Sequence, residues 1–158
     1  MDKIPSFTVN HLTLLPGVYV SRKDTIGREV LTTFDIRMTA PNREPVMSTG
    51  VCHTIEHLIA TYLRNDPEWA SKDIYWGPMG CRTGFYLILA GDFEPMDIQD
   101  ILIRSYRFAA EFEGDIPGAH PRDCGNYSDM DLPGAKVACA RFLTVLGSLG
   151  PETTQYPE

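Results

Sequence analysis

Two histidines and a carboxylate lie within five residues of one another in the segment Val51–Leu58 (VCHTIEHL). On a helix, His53 and His57 are four residues apart and project from one face, so both imidazoles can reach the same metal ion. Glu56 lies beside them. The pattern H-x-x-E-H is a known metal-site motif in which the carboxylate is an acid or base rather than a ligand. The spacing therefore predicts a metal site with an adjacent proton-transfer group.

A purely structural interpretation gives two partly buried histidines bonded to backbone carbonyls and a solvated Glu56. It is disfavoured because two histidines and an acid are costly to gather on a helix that must also pack. Two imidazoles do not complete a site, however, and a catalytic metal needs a third protein ligand and an open position. The candidates are Cys81, Cys124, His11, His120 and any of the 21 acidic residues, and the spacing does not choose among them.

The four cysteines are expected to play different parts. Cys81 lies between two glycines in a turn, and a non-ligand thiol near a metal has its thiolate favoured, which makes a usable base or nucleophile. Cys124 lies in a polar loop from which it can approach the helix as a thiolate. Cys52 neighbours the site on a different helical face, and Cys139 fits an inert, buried position. The N-terminus lacks a secretion signal, so reduced thiols are expected.

The elements that must position these residues follow from hydrophobic patterning. Segments rich in β-branched and aromatic residues predict strands, and apolar residues at helical spacing predict helices. The predicted strands are Glu29–Met38 and Phe85–Ala90, and the predicted helices run from about Val51 to Arg64, from near Pro95 to Phe112, and from Ala135 to Leu146. Strands and helices are mixed without regular alternation. The sequence therefore predicts an α+β fold with an antiparallel or mixed sheet packed against helices.

Length and composition indicate one globular domain spanning residues 1–158, with a frayed tail from about residue 150. Acidic residues outnumber basic ones by 21 to 14, so the net charge of −7 disfavours nucleic acid as a partner. No apolar segment approaches the roughly 20 residues of a membrane span, and no basic region followed by an apolar run begins the chain. A cytoplasmic protein without a membrane partner is expected.

Several separated motifs occur in the order that is typical of one family. They are His53–Leu58 (HTIEHL), Pro78–Gly84 (PMGCRTG), Cys124-Gly125 and Asp131–Lys136 (DLPGAK), preceded by Ser6-Phe7, His11, Phe34–Arg37 (FDIR) and Pro41-Asn42. From about Ser6 to Leu143 the chain resembles the LuxS family of S-ribosylhomocysteine lyases. The resemblance implies cleavage of the thioether of S-ribosylhomocysteine to homocysteine and 4,5-dihydroxy-2,3-pentanedione, the precursor of the autoinducer-2 quorum-sensing signal.

The resemblance also implies a homodimer with active sites at the subunit interface, each holding Fe²⁺, for which Zn²⁺ or Co²⁺ can substitute. Thiolate and imidazole ligands suit these ions better than Mg²⁺. The roles that the resemblance implies are metal ligation for His53, His57 and Cys124, acid–base catalysis for Cys81 and Glu56, contacts with the ribose or help with its proton transfers for Ser6, His11 and Arg37, and a place near the homocysteine end for Arg64.

Five residues at three places in the chain depart from the family's usual residues. Tyr75-Trp76-Gly77 precedes Pro78 where many members have Asp-Ile-Ser, and Asn10 and Met130 stand where Asp and His are frequent. These departures bear on how the amino acid end of the substrate is held, and they leave the metal ligands and both bases intact.

Two alternatives share the same histidines. One is a structural zinc site in an interaction module, closed by Cys81 and Cys124 as third and fourth ligands, with no exchangeable position. The other is an inverzincin-type metallopeptidase, a class of larger enzymes that generally take a carboxylate as the third ligand.

Overall fold

The computed structural model describes all 158 residues and contains one four-stranded antiparallel sheet. The strands are β1 (Gly17–Ile26), β2 (Glu29–Arg37), β3 (Asp73–Pro78) and β4 (Gly84–Ala90), and their order across the sheet is β1-β2-β4-β3. The helices are α1 (Thr49–Asn65), α2 (Gln99–Glu111), α3 (Leu132–Leu146) and α4 (Pro151–Thr154), and short 3₁₀ turns occupy Pro5–Phe7 and Pro95–Ile98. The predicted α+β class is confirmed, and the sheet is antiparallel rather than mixed.

The core lies between one face of the sheet and helices α1 to α3. Alternate residues of β2 and β4, including Phe34 and Leu87, are fully buried on this inner face and pack with α1 residues such as Ile55. Helix α1 begins where the Ser48 hydroxyl accepts a hydrogen bond from the backbone N–H of Val51. This packing fixes the orientation of α1, which carries both histidines.

The predicted strands and helices over residues 29–38, 51–64, 85–90, 95–112 and 135–146 are all present within a few residues of their expected bounds. Two strands, β1 and β3, were not predicted. β1 carries the polar run Ser21–Asp24 on an exposed stretch, and β3 is short and ends in Gly77-Pro78, so neither shows the usual hydrophobic alternation. Both strands are specified by pairing with a neighbour, which local patterning does not reveal.

The outer face of the sheet is covered at one end by the end of the chain. The prediction of a frayed tail is wrong, because α4 packs against β1 and Tyr156 stacks on Tyr19 with 4.9 Å between ring centroids. The rest of this face is open, and its side chains, Leu31, Thr33, Tyr86 and Ile88 among them, line a cavity of about 660 Å³ with Ser6 at its rim. No helix combines the length and apolar character needed to cross a membrane.

Candidate metal centre and active-site cleft

Three predicted metal ligands converge at one point on the surface of α1. The Nε2 atoms of His53 and His57 are 3.1 Å apart, and the Cys124 thiol lies 3.4 Å from Nε2 of His53. The three potential ligand atoms all lie within 4.8 Å of one another. His11 and His120 do not join them, since Nδ1 of His11 contacts the Val9 carbonyl and Nδ1 of His120 accepts a bond from the Arg122 N–H. The structure thereby selects Cys124 among the candidates for a third ligand.

Backbone carbonyls hold both imidazoles in the tautomer that metal binding requires. Nδ1 of His53 lies 3.0 Å from the Asp129 carbonyl oxygen, and Nδ1 of His57 lies 2.7 Å from that of Pro117. A carbonyl only accepts, so each Nδ1 carries the proton and each neutral ring presents the lone pair of Nε2 to the cluster. Two Nε2 lone pairs 3.1 Å apart beside a thiol repel one another unless a metal ion or a shared proton lies between them. This arrangement fits a metal ion.

Two of the three separations between the ligand atoms fit a tetrahedral transition metal. Zinc bond lengths place neighbouring ligands about 3.3 Å apart for two nitrogens and about 3.6 Å apart for nitrogen and sulfur. The observed separations of 3.1 and 3.4 Å are close to both values. Three protein ligands leave one position of a tetrahedron for water or substrate, as in catalytic rather than structural sites. The residues present can therefore hold a divalent metal of the Fe²⁺, Co²⁺ or Zn²⁺ type.

The carbonyl that orients His57 depends on a glycine. Gly118 follows Pro117 with a φ of +72°, which L side chains rarely adopt, and a Cβ built on it would lie 3.1 Å from Nδ1 of His57. Alanine at this position would strain the loop and push the Pro117 carbonyl away from the imidazole. Loss of the group that hydrogen-bonds a metal-bound histidine typically lowers metal affinity about 10 to 100-fold. We therefore expect Gly118→Ala to weaken metal binding by about that factor.

Competition with a chromogenic chelator for Co²⁺ or Zn²⁺ measures this loss. Gly114→Ala is the matched control, since Gly114 lies in the same loop with a φ of +102° but has no atom within 4 Å of an added Cβ. Both variants should lose some stability from backbone strain, whereas only Gly118→Ala should lose metal affinity. Equal affinities in the two variants would contradict an orienting role for the Pro117 carbonyl.

A cleft of about 340 Å³ adjoins the cluster and contains Glu56. One wall is α1, with His53 and Glu56, and the other is the turn between β3 and β4, whose residues Gly80 and Arg82 flank Cys81. Glu56 is not part of the three-atom cluster. The carboxylate is thus positioned beside the metal site, where it can exchange protons with a molecule in the cleft, as the sequence motif predicts.

The Cys81 thiol faces a separate set of partners. Its sulfur lies 3.0 Å from the Thr83 hydroxyl and 3.8 Å from Nη1 of Arg37, and the residue is exposed. The turn that carries it is closed by hydrogen bonds from the Met79 N–H to the Gly84 carbonyl and from the Arg82 N–H to the Met79 carbonyl. Since Cys81 does not join the metal cluster, the structure does not form a closed four-ligand zinc site. The third ligand is also a thiol rather than a carboxylate, which argues against an inverzincin-type peptidase.

Arg37 is held beneath Cys81 by a buried ion pair with Asp35. The two side chains are bonded from Nε to Oδ1 at 3.0 Å and from Nη2 to Oδ2 at 2.6 Å, while Nη1 donates to the Thr83 hydroxyl at 2.7 Å. Burial alone would lower the pKa of Arg37, but Asp35 raises it above its ordinary value. Sequence reasoning missed Asp35 and Thr83. The signal was available, because residues two apart on a strand share one face.

The remaining predicted substrate-binding residues lie away from the cluster. Ser6 lines the large cavity on the outer face of the sheet, and His11 lies in the nearby N-terminal segment. Arg64 is near the far end of α1, about 10 Å along the helix axis from His57. Its guanidinium is paired with the buried Asp73 at 3.3 Å and remains 60% exposed. None of these three is brought to the metal cluster within one chain.

The other two cysteines are buried, and their surroundings make them unreactive. Burial raises the pKa of the Cys139 thiol to about 12 and that of Cys52 to about 11, with Cys81 and Glu56 adding to the second shift and Arg82 opposing it. Cys139 thus behaves as the inert residue predicted from the sequence. Cys52 borders the cleft as a neutral thiol.

The three departures from the usual family residues occupy different places. Tyr75 is half exposed and lines the outer-face cavity. Asn10 caps the N-terminal segment by accepting from the Leu12 N–H and also donates to the Glu158 carbonyl. Met130 contacts the Thr54 hydroxyl through its sulfur, on the buried side of α1. None of them takes part in the metal cluster.

Comparison with known proteins identifies close relatives along the whole chain. The family model described as S-Ribosylhomocysteinase (LuxS) matches residues 4–149. An S-ribosylhomocysteine lyase of Clostridium acetobutylicum is 60% identical over 158 residues, covering all of both chains. Proteins with the same description from Phocaeicola vulgatus and Borreliella burgdorferi are 55% and 47% identical and cover 98% or more of each chain.

Proposed function

Because the chain belongs to the S-ribosylhomocysteinase (LuxS) family, we propose that Cys81 and Glu56 are its acid–base groups and that His53, His57 and Cys124 hold its metal. The chain is an S-ribosylhomocysteine lyase, which cleaves the substrate to homocysteine and 4,5-dihydroxy-2,3-pentanedione, the precursor of autoinducer-2. We extend this assignment to residues 1–158 as one lyase domain. The proposal is carried by one observation, a three-ligand cluster that shares a cleft with a free carboxylate and borders a thiol-bearing turn.

The chemistry explains why two proton-transfer groups are needed. A thioether leaves only when it is β to a carbonyl, so the carbonyl of the opened sugar must first move two carbons along the chain. Each migration, and the final elimination, removes a proton from a carbon next to a carbonyl. A bound divalent metal supplies Lewis acidity toward the sugar's carbonyl and hydroxyl oxygens, which lowers the cost of removing those protons.

The two groups approach the cleft from different sides, as successive transfers at different carbons require. Glu56 projects from α1 beside His53, and the turn that carries Cys81 forms the opposite wall. Arg37 places a positive charge 3.8 Å from the Cys81 sulfur, which supports the proposed role of this thiol as a base. Glu56 then moves protons at the substrate oxygens, where it accepts and returns them as the carbonyl migrates.

We propose Fe²⁺ as the resident metal, with Zn²⁺ or Co²⁺ able to replace it. One thiolate and two imidazoles suit all three ions, and affinity alone favours Zn²⁺ over Fe²⁺, so the loaded metal also depends on supply. The cluster itself is partly buried, and two of its three ligand separations are close to tetrahedral values. The identity of the metal is therefore supported by the donor set and by the family rather than by geometry.

We propose that two chains form a homodimer through the open outer face of the sheet. The large cavity there is lined by apolar side chains such as Leu31 and Ile88, and Phe7 and Leu12 of the N-terminal segment are 68% and 70% exposed. A contiguous apolar surface of this kind favours a protein partner. In such a dimer Ser6 and His11 would serve the site of the other subunit, which explains why they lie away from the cluster of their own chain.

Two arginines are proposed to contact the substrate. Arg37, which is buried beside Cys81, is proposed to contact the ribose or to help its proton transfers. Arg64 is proposed to serve the homocysteine end, with Asp73 orienting its exposed guanidinium. We also propose a cytoplasmic location, supported by the unpaired cysteines and the ferrous site, since both require reducing conditions.

An anaerobic assay tests the activity and its metal. Protein loaded with Fe²⁺ should release thiol from S-ribosylhomocysteine, measured with a disulfide dye, and protein stripped by a chelator should not. Adding Fe²⁺ back should restore release, since a chain that keeps its fold reforms the cluster. Release by the stripped protein would contradict a metal-dependent lyase, as would failure of folded, loaded protein to act on this substrate.

A further inference from the structure

A chain of contacts connects Cys81 to the end of the polypeptide. The hydroxyl of Tyr156 donates to Oδ2 of Asp35 at 2.8 Å, the same oxygen that accepts from Nη2 of Arg37. The other end of the Arg37 guanidinium contacts the Thr83 hydroxyl and the Cys81 sulfur. Only two side chains therefore separate the C-terminal tail from the thiol.

The position of Tyr156 is fixed by its docking on β1. Its ring lies at 7° to the ring of Tyr19, which is fully buried and donates its own hydroxyl to the carbonyls of Leu15 and Glu152. Gly17 permits the close approach, since a Cβ there would lie 2.2 Å from the Thr153 carbonyl oxygen. The tail is thus a packed part of the fold at the point where it meets Asp35.

The hydroxyl of Tyr156 is the hydrogen-bond donor in its contact with Asp35. Burial, together with the adjacent Asp35 carboxylate, raises the pKa of Tyr156 well above its ordinary value, so the phenol stays protonated. Asp35 is 2% exposed, and its carboxylate is held by Arg37 on one side and by this hydroxyl on another. Removing the hydroxyl leaves part of a buried carboxylate unsatisfied, which is costly and is relieved by rotation or by entry of water.

We propose that Tyr156 is a positioning residue for Cys81, acting through Asp35 and Arg37 to hold the guanidinium against the thiol. The inference rests on the proposed role of Cys81 as a base. While the two hydrogen bonds between Asp35 and Arg37 are intact, Nη1 of Arg37 points at Thr83 and Cys81. If this ion pair rotates or becomes hydrated, the positive charge beside the sulfur moves away and the sulfur reacts more slowly with electrophiles. Tyr86 and Cys52, which also lie near this thiol, are neutral at ordinary pH.

The reactivity of Cys81 toward iodoacetamide tests the proposal without requiring turnover. The metal-loaded protein is treated at neutral pH, and modification of each cysteine is followed by peptide mass spectrometry. Tyr156→Phe removes the hydroxyl and keeps the stacked ring. Tyr19→Phe is the matched control, since it removes the other hydroxyl of the stacked pair, which bonds only to backbone carbonyls. We expect alkylation of Cys81 to fall about threefold in Tyr156→Phe and to be unchanged in Tyr19→Phe, because only the first change disturbs the positive charge beside the sulfur.

Whether alkylation of Cys81 falls or rises in Tyr156→Phe distinguishes a positioning role from a general loosening of the fold. A tail that merely stabilises the fold would, when weakened, make Cys81 more accessible and expose the buried Cys52 and Cys139, so alkylation would rise at all three. Unchanged or faster alkylation of Cys81 in Tyr156→Phe would overturn the proposal. In turnover, kcat should fall severalfold with KM nearly unchanged. If Cys81→Ala retains turnover, the proposed function of Cys81 fails, while the alkylation result still decides whether Tyr156 controls the thiol.

Discussion

Replacing Cys81 by alanine is expected to lower thiol release from S-ribosylhomocysteine at least about a thousandfold while leaving the metal bound. The thiol is the proposed base on the turn between β3 and β4, and residues 78–84 of this turn contain no other thiol and no carboxylate. Its loss removes no metal ligand, because the cluster consists of His53, His57 and Cys124. Turnover under anaerobic conditions and metal content by elemental analysis measure the two effects separately.

Two variants serve as comparisons for this result. Cys139→Ala makes the same substitution at a fully buried cysteine outside the site, and it should keep nearly full turnover with a modest loss of stability. Glu56→Gln retains the size of the second proposed acid–base group and should also lose turnover with metal retained. Loss of metal from Cys81→Ala would contradict its role as a base, because it would make Cys81 a fourth ligand of a closed site.

The metal site was predictable from the sequence in part. Helical spacing was sufficient to place His53 and His57 on one face, and helix α1 carries both as expected. The third ligand was not predictable from spacing, because Cys124 reaches the cluster through a long loop whose path depends on tertiary packing. The carbonyls of Asp129 and Pro117, which set the tautomers, belong to that same loop region and have no side-chain signature.

The surroundings of Cys81 were harder to predict. Arg37 was assigned to the site by resemblance, yet its orientation depends on a buried pair with Asp35 and on Thr83 across the sheet. The alternation of β2 places Asp35 and Arg37 on one face, but that face looks solvent-exposed until the tail covers it. Tyr156 lies 121 residues from Asp35 in the chain, so no local pattern connects them. Contacts of this range follow from the fold rather than from propensity.

Mixing two inactive variants is expected to restore activity if the proposed dimer is correct. One variant carries Cys81→Ala and the other His11→Ala, and each alone should be nearly inactive as a homodimer. After the two are unfolded and refolded together, about a quarter of the sites should regain wild-type composition. The measured thiol release should therefore rise from near zero to about a quarter of the wild-type rate.

The fraction follows from symmetry. Random association makes half of the dimers mixed, and each mixed dimer has two sites related by the two-fold axis. One site combines an intact Cys81 with an intact His11 from the other subunit, and the second site combines both substitutions. The structure motivates this arrangement because Ser6 lines the cavity on the open outer face of the sheet, and neither Ser6 nor His11 belongs to the metal cluster of its own chain.

A second mixture provides the control for complementation. Cys81→Ala mixed with Glu56→Gln should stay inactive, because both substitutions affect the same subunit's contribution and every site in a mixed dimer retains one of them. Activity from this mixture would show that Cys81 and Glu56 of one active site come from different subunits. Failure of the first mixture, with mixed dimers verified by mass spectrometry, would place His11 in the site of its own chain, and a monomer in solution would remove the shared site altogether. Restored activity in the first mixture alone requires that His11 and Cys81 act on one substrate from opposite subunits. It also explains how an exposed apolar sheet face and an N-terminal segment that lies away from its own metal cluster serve catalysis.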